Sequence, residues 1–272
     1  MKYIFKDGNV EVTEFDNINI ALTLDCGQAF RWSSDEKGVW HGVAFGKVLD
    51  IEQTQSKIIF FNTSLEDFEK IWLNYFDLER DYKKITSQLK KDEQLNKAIT
   101  ACYGIRILRQ ESWEALCSFI ISQNNNIPRI KGIIERMCKC FGEDLSNGDF
   151  SFPSAEKIAT LSVEDLSPLR AGFRARYIID AAQRVADGRI DIEKISAMDI
   201  EKARESLKTI TGVGAKVAEC TLLYGFNRIE AFPIDVWVKR VMAEMYPNGL
   251  PECTKGIEGI AQQFLFHYIR TK

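Results

Sequence analysis

The spacing of apolar residues along the chain changes near residue 80. Before this point, apolar residues are concentrated in short segments that glycines separate, at 18–24, 29–32, 39–44, 47–51 and 57–62. Short segments rich in valine, isoleucine, phenylalanine and tryptophan between tight turns are typical of antiparallel strands. Ser64 and Asp67 then follow with capping-box spacing, which predicts a helix toward Tyr75. Residues 1–80 are therefore predicted to form a β-rich N-terminal domain.

After residue 80 the apolar residues recur at helical intervals. The predicted helices are 113–122, 130–141, 154–161, 176–188, 199–210, 216–224, 236–245 and 254–268. Gly142 and Gly188 stand at the ends of two of them, where glycine is common. The sequence thus predicts an α+β fold, in which an N-terminal antiparallel sheet domain precedes a mainly helical domain at 81–272.

The most informative segment is 207–220, LKTITGVGAKVAEC. Gly212 and Gly214 separate a helix that ends near Ile210 from one that begins near Ala215. Such glycines permit a tight turn, and the free amides at the next helix start favour an anion. The pattern predicts a helix-hairpin-helix motif at about 200–224, which can bind a DNA phosphate through its backbone. An ordinary turn between helices is the alternative interpretation.

Lys216 and Asp235 are the candidate catalytic residues. Lys216 lies in the first turn of the helix after the glycines, where the helix dipole disfavours an ammonium ion. An uncharged lysine amine is a nucleophile that can form a Schiff base. Asp235 precedes the predicted helix 236–245, so its carboxylate can cap that helix and remain fixed and ionised. An exposed lysine and a purely structural cap are the alternative interpretations.

Composition limits the remaining chemistry. The chain has 272 residues, 36 Lys+Arg against 39 Asp+Glu, seven cysteines and two histidines. The net charge of −3 argues mildly against a non-specific nucleic-acid coat, but it does not exclude a local site. Without C-x-x-C spacing or clustered histidines, we expect neither a metal site nor a Ser-His-Asp triad. Without a long apolar run or a signal peptide, we expect a cytoplasmic protein with no membrane segment.

Six separate stretches together resemble a known family. TGVGAKVAEC and AFPIDVW are similar to the hairpin and aspartate signature of the helix-hairpin-helix, Gly/Pro-Asp DNA glycosylase superfamily. More narrowly, four stretches in the family's order are similar to 8-oxoguanine DNA glycosylase/AP lyases: GQAFRW at 27–32, SFIISQNNNIPRI at 118–130, GFRARY at 172–177 and AQQFLF at 261–266. Each stretch alone is a weak signal, but together they are highly specific.

The resemblance implies a bifunctional repair enzyme that excises 8-oxoguanine from duplex DNA and cleaves the abasic strand by β-elimination. Lys216 matches the family's nucleophile, which attacks the C1′ atom and forms an imine with the opened sugar. Asp235 matches the carboxylate that stabilises the positive charge growing on the sugar. Only Cys253 follows Cys220, so the iron–sulfur cluster of some superfamily members is not expected. No cofactor is implied.

The resemblance also implies a pocket for the flipped base. Gly27 matches the glycine whose carbonyl accepts the N7 hydrogen that 8-oxoguanine has and guanine lacks. Cys220 and Phe266 match the pair that sandwiches the base, and Gln262 matches the residue that bonds its edge. Taken alone, Cys220 and Phe266 would be ordinary core residues, and Gln262 a solvated helix residue.

Further positions match residues that contact the opposite strand and the backbone. These are Asn124, Arg129 and Arg174 for the orphaned cytosine, Asn125 for the flipped state, Phe173 for the wedge, and Gly212 and Gly214 for the hairpin. Phe173 stands where many relatives have tyrosine, and Trp237 stands where eukaryotic relatives have histidine, so Trp237 receives no role. The expected partner is duplex DNA with 8-oxoguanine opposite cytosine, bound by a monomer and, in a bacterium or archaeon, at the nucleoid.

Two alternatives stay open at this stage. The first is a superfamily glycosylase for another damaged base, such as an alkylated base or an oxidised pyrimidine. The second is a non-catalytic helix-hairpin-helix module that binds DNA. The GQAFRW and AQQFLF stretches favour 8-oxoguanine. The module would need neither the lysine and aspartate pair nor a β-rich domain.

Overall fold

The computed structural model describes residues 1–271, so Lys272, the last residue of the predicted helical domain, lies outside the described residues. The N-terminal part is a six-stranded antiparallel sheet in the order β1-β2-β6-β5-β4-β3. Its strands are β1 (Lys2–Lys6), β2 (Asn9–Thr13), β3 (Trp32–Ser34), β4 (Trp40–Ala44), β5 (Lys47–Gln53) and β6 (Ile58–Phe61). The predicted antiparallel sheet is confirmed.

One face of the sheet is apolar and is covered by a helical segment. Val10 and Val12 of β2 pair in register with Phe60 and Ile58 of β6, and all four side chains are completely buried. The covering segment consists of α2 (Leu65–Asp67), a π-helical turn (Phe68–Trp72) and α3 (Leu73–Tyr75). Ser64 Oγ accepts the Asp67 N–H at 3.0 Å, so the predicted cap is present.

Two strand predictions in this part are wrong. Segment 18–24 forms helix α1 (Ile20–Asp25), because Asn19 Oδ1 accepts the Leu22 N–H at 2.9 Å and caps it. The buried residues Ile20, Thr23 and Leu24 follow helical spacing rather than alternation. Segment 29–32 is extended only from Trp32 onward, where β3 begins.

The sequence interpretation missed the hairpin of β1 and β2. Asp7 and Gly8 connect the two strands with φ values of 51° and 78°. A two-residue turn with positive φ at both positions matches the twist of a hairpin, and Asp-Gly is a preferred pair for it. This dipeptide was the available signal for two further strands.

The second part of the chain is mainly helical, as predicted. It contains α4 (Tyr82–Leu89), α5 (Glu93–Ala101), α6 (Ser112–Ser122), α7 (Ile127–Phe141), α8 (Ala155–Ala159), α9 (Arg174–Ala186), α10 (Ile192–Ala197), α11 (Ile200–Lys208), α12 (Ala215–Gly225), α13 (Val236–Met245) and α14 (Glu258–Thr271). A small hairpin of β7 (Asp144–Ser146) and β8 (Asp149–Phe150) follows α7. Within residues 1–271, none of the helices has the length and apolar character needed to cross a bilayer.

Gln28 attaches the loop after α1 to the segment that leads into the helical part. Its side chain is completely buried, and its Nε2 donates to the carbonyl oxygens of Thr23 at 2.9 Å and Arg106 at 2.8 Å. Its Oε1 accepts the Leu108 N–H at 2.9 Å, and its own carbonyl accepts from Gln110 Nε2 at 2.7 Å. Because the side-chain amide and the carbonyl of Gln28 are all paired, the backbone of the preceding Gly27 is held in one place.

Candidate active site

The turn between α11 and α12 has the hairpin geometry that the two glycines predicted. Gly212 has a φ of 79°, and a Cβ built there would lie 2.4 Å from Tyr177 Cδ2. Any other residue would therefore clash with the Tyr177 ring as well as strain the backbone. Gly214 occupies the N-cap position of α12, which has no side-chain cap, and a Cβ there would enter open space. The amides at the start of α12 therefore have no side-chain acceptor.

Lys216 is half-buried where α12 packs against the end of α6. Its Nζ donates to Ser122 Oγ at 3.0 Å and lies 5.1 Å from the centroid of the Phe119 ring. The Ser122 hydroxyl itself donates to the Phe119 carbonyl at 2.8 Å, which orients its lone pairs toward the lysine. The Lys216 amine is thus held directly beside the asparagine run that follows α6. This placement contradicts the alternative of a freely solvated lysine.

Cys220 and Asp235 share the electrostatic environment of Lys216. Burial raises the pKa of the Cys220 thiol to about 11, while the Lys216 amine opposes the shift and the Asp235 carboxylate adds to it. Asp235 caps α13, because its Oδ1 accepts the N–H groups of Trp237 at 3.0 Å and Val238 at 2.8 Å. The predicted N-cap is present, and it fixes the carboxylate at a helix start.

A second group of residues surrounds Gly27. This glycine has a φ of 83°, and a Cβ built on it would lie 3.5 Å from Phe266 Cε1 and 3.5 Å from Ile127 Cδ1. The same Cβ would lie 3.2 Å from Arg270 Nη1, and the Arg270 guanidinium carbon lies 5.0 Å from the centroid of the Phe266 ring. The structure therefore brings Gly27 and Phe266 together and adds Arg270, which the sequence analysis did not identify.

Gln263 links this second group to the helix that carries Lys216. The Tyr224 hydroxyl of α12 donates to Gln263 Oε1, and Gln263 Nε2 donates to the Cys26 carbonyl at 3.2 Å. Tyr224 and Gln263 are both buried. The link fixes α12, α14 and the Gly27 loop relative to one another. Sequence reasoning missed both residues, although the paired glutamines at 262 and 263 were a signal.

Gln262 differs from its neighbour because its side-chain oxygen makes no hydrogen bond within residues 1–271. Its side chain is only 4% exposed, and its Oε1 is buried without a hydrogen-bond partner among the described residues. An unpaired buried amide oxygen costs about 1–3 kcal/mol, so native proteins rarely keep one without a reason. Gln262 lies one helical turn before Phe266 and therefore shares its face of α14. Its oxygen is therefore an unpaired acceptor on that face.

The asparagine run between α6 and α7 forms the other side of the site. Asn124 is exposed and has a φ of 48°, and Asn125 Nδ2 donates to the Ile121 carbonyl at 3.2 Å. Asn126 caps α7, since its Oδ1 accepts the Arg129 N–H at 3.0 Å. The Arg129 side chain is exposed in the first turn of α7. Pro128 also lies in this turn, where a helix tolerates proline.

Arg174 lies beneath the asparagine run rather than on the surface. It is only 3% exposed, and it donates from Nε to the Gln123 carbonyl at 2.9 Å and from Nη2 to the Asn124 carbonyl at 3.0 Å. Phe173 beside it is 46% exposed, and the Arg174 guanidinium carbon lies 4.5 Å from its ring centroid. Phe173 thus projects outward, while the Arg174 guanidinium is engaged with the backbone.

No group of three or more His, Cys, Asp or Glu in residues 1–271 is arranged to hold a metal ion. The structure instead assembles two neighbouring clusters that α12 and α14 connect. One contains Lys216, Cys220 and Asp235, and the other contains Gly27 and Phe266 with the unpaired Gln262. Together they combine an amine, a fixed carboxylate and unused hydrogen-bonding groups beside an aromatic ring.

Two family models match adjacent parts of the chain. The family model for the 8-oxoguanine DNA glycosylase N-terminal domain matches residues 10–116, and the HhH-GPD superfamily base excision DNA repair protein model matches residues 117–256. The chain is 30% identical over 270 residues to an N-glycosylase/DNA lyase of Saccharomyces cerevisiae, covering 89% of this chain and 72% of that protein.

Solved structures are similar over the full length. The chain is 35% identical to the Clostridium acetobutylicum 8-oxoguanine glycosylase/lyase in complex with double-stranded DNA containing cytosine opposite 8-oxoguanine. The TM-score is 0.94, and the match covers 100% of this chain and 98% of that one. MBOgg1 in complex with a low-affinity DNA ligand gives a TM-score of 0.94 at 40% identity, covering 100% and 99%. This chain therefore belongs to the 8-oxoguanine DNA glycosylase family of the HhH-GPD superfamily.

Proposed function

We propose that the protein is a bifunctional DNA repair glycosylase that excises 8-oxoguanine from duplex DNA and cleaves the abasic strand. The observation that carries the proposal is the fixed position of the Lys216 amine on Ser122, within electrostatic range of Cys220, which Asp235 also influences. An amine and a carboxylate in one cluster supply the nucleophile and the negative charge that loss of a base requires. The family relationship supports the same assignment.

In the first step the lone pair of Lys216 Nζ attacks C1′ of the extruded nucleotide. The bond from C1′ to the base breaks, and the base leaves with the bonding electron pair and gains a proton. The Asp235 carboxylate, held at the start of α13, stabilises the positive charge that develops on the sugar. The bond from C1′ to the ring oxygen O4′ then breaks, O4′ keeps the electron pair and gains a proton, and C1′ is left doubly bonded to Nζ as an imine.

In the second step the imine makes strand cleavage possible. The iminium acidifies the hydrogen on C2′, so loss of this proton allows the 3′ phosphate to leave with its electron pair. A double bond forms between C2′ and C3′, which is β-elimination. Hydrolysis of the imine finally returns Lys216 to its free amine.

Lesion recognition is assigned to the group around Gly27. The Gly27 carbonyl accepts the N7–H of 8-oxoguanine, whereas guanine presents another acceptor at N7 and is disfavoured. The loop is fixed by Gln28 and by the Gln263 bond to the Cys26 carbonyl, which keeps this acceptor in place. The unpaired oxygen of Gln262 accepts from the donor edge of the base. The base stacks between Cys220 and Phe266.

Contacts with the opposite DNA strand are assigned to the asparagine run and to residues near it. Exposed Asn124 and Arg129 contact the cytosine left behind, and Phe173 fills the gap in the helix. Arg174 supports this contact through its bonds to the Gln123 and Asn124 carbonyls, and its guanidinium faces the cytosine only after these bonds loosen. The hairpin amides around Gly212 and Gly214 bind a phosphate. One copy of the chain carries every assigned group, so the active form is a monomer on duplex DNA.

Borohydride trapping with a panel of lesion duplexes tests this function. We expect a reduced covalent complex with 8-oxoguanine opposite cytosine, a weaker yield with other opposite bases, and no complex for Lys216→Gln. Trapping only with alkylated bases or oxidised pyrimidines would assign the enzyme to another lesion. Tight binding to every duplex without trapping would indicate a non-catalytic module.

A further inference from the structure

A buried glutamate connects the two elements that carry the candidate catalytic residues. Glu219 lies on α12, one helical turn after Lys216 and directly before Cys220. Its Oε2 accepts the Phe232 N–H at 2.7 Å, and Phe232 belongs to the segment that leads into Asp235. We propose that Glu219 is a positioning residue that sets the Asp235 carboxylate relative to the Lys216 amine. This inference rests on the proposed function.

The Glu219 carboxylate is held in one orientation. It is only 7% exposed, and its Oε1 pairs with Nε of Arg204 on α11. Arg204 in turn pairs with Glu201 one turn earlier on the same helix. A buried carboxylate needs such a partner, and the planar guanidinium fixes its direction. Oε2 is therefore presented to Phe232 as a fixed acceptor rather than as a flexible side chain.

The residues next to Phe232 explain why its hydrogen bond to Glu219 matters for the position of Asp235. Pro233 follows and has no N–H, and Ile234 is largely exposed. The Ala231 N–H bonds locally to the Arg228 carbonyl at 2.9 Å. Within the described residues, α12 is reached from there only through the Arg228 N–H, which donates to the Leu222 carbonyl at 2.9 Å, further from Asp235. The hydrogen bond from Phe232 to Glu219 thus connects the segment just before Asp235 directly to α12, the helix that carries Lys216.

The two chemical steps depend differently on this connection. Departure of the base needs the Asp235 charge close to the sugar, so a displaced carboxylate slows excision. A duplex that already contains an abasic site has lost its base and presents an aldehyde to Lys216. Lys216 remains on α12 whatever happens to the segment before Asp235. Loss of Glu219 should therefore impair excision much more than cleavage of a preformed abasic site.

The test compares both steps in single-turnover experiments on the full-length protein. For Glu219→Leu we expect the rate of 8-oxoguanine excision to fall about 10- to 100-fold, and cleavage of a preformed abasic site to fall less than about threefold. Glu219→Gln keeps an acceptor for Phe232 and should stay within about fivefold of the wild type for excision. The matched control is Glu114→Gln, a second buried glutamate paired with an arginine, Arg31, but not bonded to this segment. It should leave the ratio of the two rates unchanged.

Arg204→Met keeps the test decisive if Glu219→Leu does not fold. It removes the group that orients the carboxylate, and it should lower excision with the same preference over abasic-site cleavage. Equal losses in both steps for the Leu and Met variants, or no loss in either, would overturn the inference. A wild-type protein that leaves 8-oxoguanine in place would instead contradict the proposed function. The two rates would then be compared on the base that it does release, with the same ratio expected.

Discussion

The two sides of the candidate site are built in opposite ways. Around Gly27 the loop backbone is held by buried side-chain amides. Gln28 follows the glycine and bonds to the Arg106 carbonyl, and Gln263 bonds to the Cys26 carbonyl before it. At Asn124 and Arg129 the side chains are exposed, and the buried Arg174 holds the backbone beneath Asn124. The difference indicates that lesion recognition depends on a preformed backbone acceptor. Recognition of the opposite base depends on exposed side chains that can adjust to DNA.

The largest expected effect on excision comes from changing Gly27, on the side of the site where the backbone is held in place. Gly27→Ala places a Cβ where φ is 83° and where Arg270 Nη1 lies 3.2 Å away. Backbone strain of about 1–3 kcal/mol must be relieved by moving the loop, so the carbonyl leaves its position. We expect single-turnover excision of 8-oxoguanine to fall about 10- to 100-fold. Cleavage of a preformed abasic site should fall much less, and an equal loss in both reactions would contradict this assignment.

The neighbouring glutamines sharpen the comparison. Gln262→Leu removes a buried oxygen that has no partner, so the melting temperature should stay the same or rise while excision falls about tenfold. Gln263→Leu removes the acceptor for Tyr224 and the donor to Cys26, so the free energy of unfolding should fall by about 1–3 kcal/mol. Thermal unfolding and excision rates measured side by side test both. If Gln262→Leu lowered the melting temperature but left excision normal, Gln262 would be a structural residue rather than a recognition residue.

A smaller effect is expected on the adjustable side. Arg129→Gln removes an exposed charge and should weaken the preference for cytosine over other opposite bases about three- to tenfold, with little change in melting temperature. Arg174→Gln should lower stability as well, because Arg174 holds the Gln123 and Asn124 carbonyls. Excision rates with each of the four opposite bases provide the measurement. An unchanged ratio in both variants would place base discrimination elsewhere.

A last effect, on stability rather than on excision, concerns pH and the buried ion pair of Glu114 with Arg31. Burial raises the pKa of Glu114 to about 7 despite the opposing charge of Arg31. The folded state therefore binds more protons than the unfolded state, and stability falls as pH rises from about 4.5 to about 7. The contribution is at most about 1.4 kcal/mol per pH unit. The free energy of unfolding of the wild type minus that of Glu114→Gln, measured across this pH range, should show this slope. The same pH dependence in both proteins would contradict the prediction.

Sequence reasoning predicted the α+β fold class because its signals are local. Strand periodicity, glycine turns and helix caps act within a few residues, as at Ser64 and Asp235. The prediction for 18–24 is wrong because its weak alternation is a poorer signal than the capping residue Asn19. The hairpin of β1 and β2 escapes prediction because its only local signal is the polar Asp7-Gly8 turn, which lies close to the N-terminus.

The parts of the site that sequence reasoning missed are joined by contacts between distant elements. Gln263 bonds to Cys26, and Glu219 bonds to Phe232, only because α12, α14 and two loops meet in the fold. No spacing in the sequence indicates either pair. Arg174 is a related case, since the resemblance assigns it to the cytosine while the structure places it under the backbone.

Mass mapping of the borohydride-reduced complex with the 8-oxoguanine:cytosine duplex tests the central claim most directly. After proteolysis and nuclease digestion, we expect the sugar remnant on Nζ of Lys216, with every other lysine and the N-terminal amine unmodified. A remnant on another amine, or a reduced complex that forms equally well in Lys216→Gln, would contradict the account.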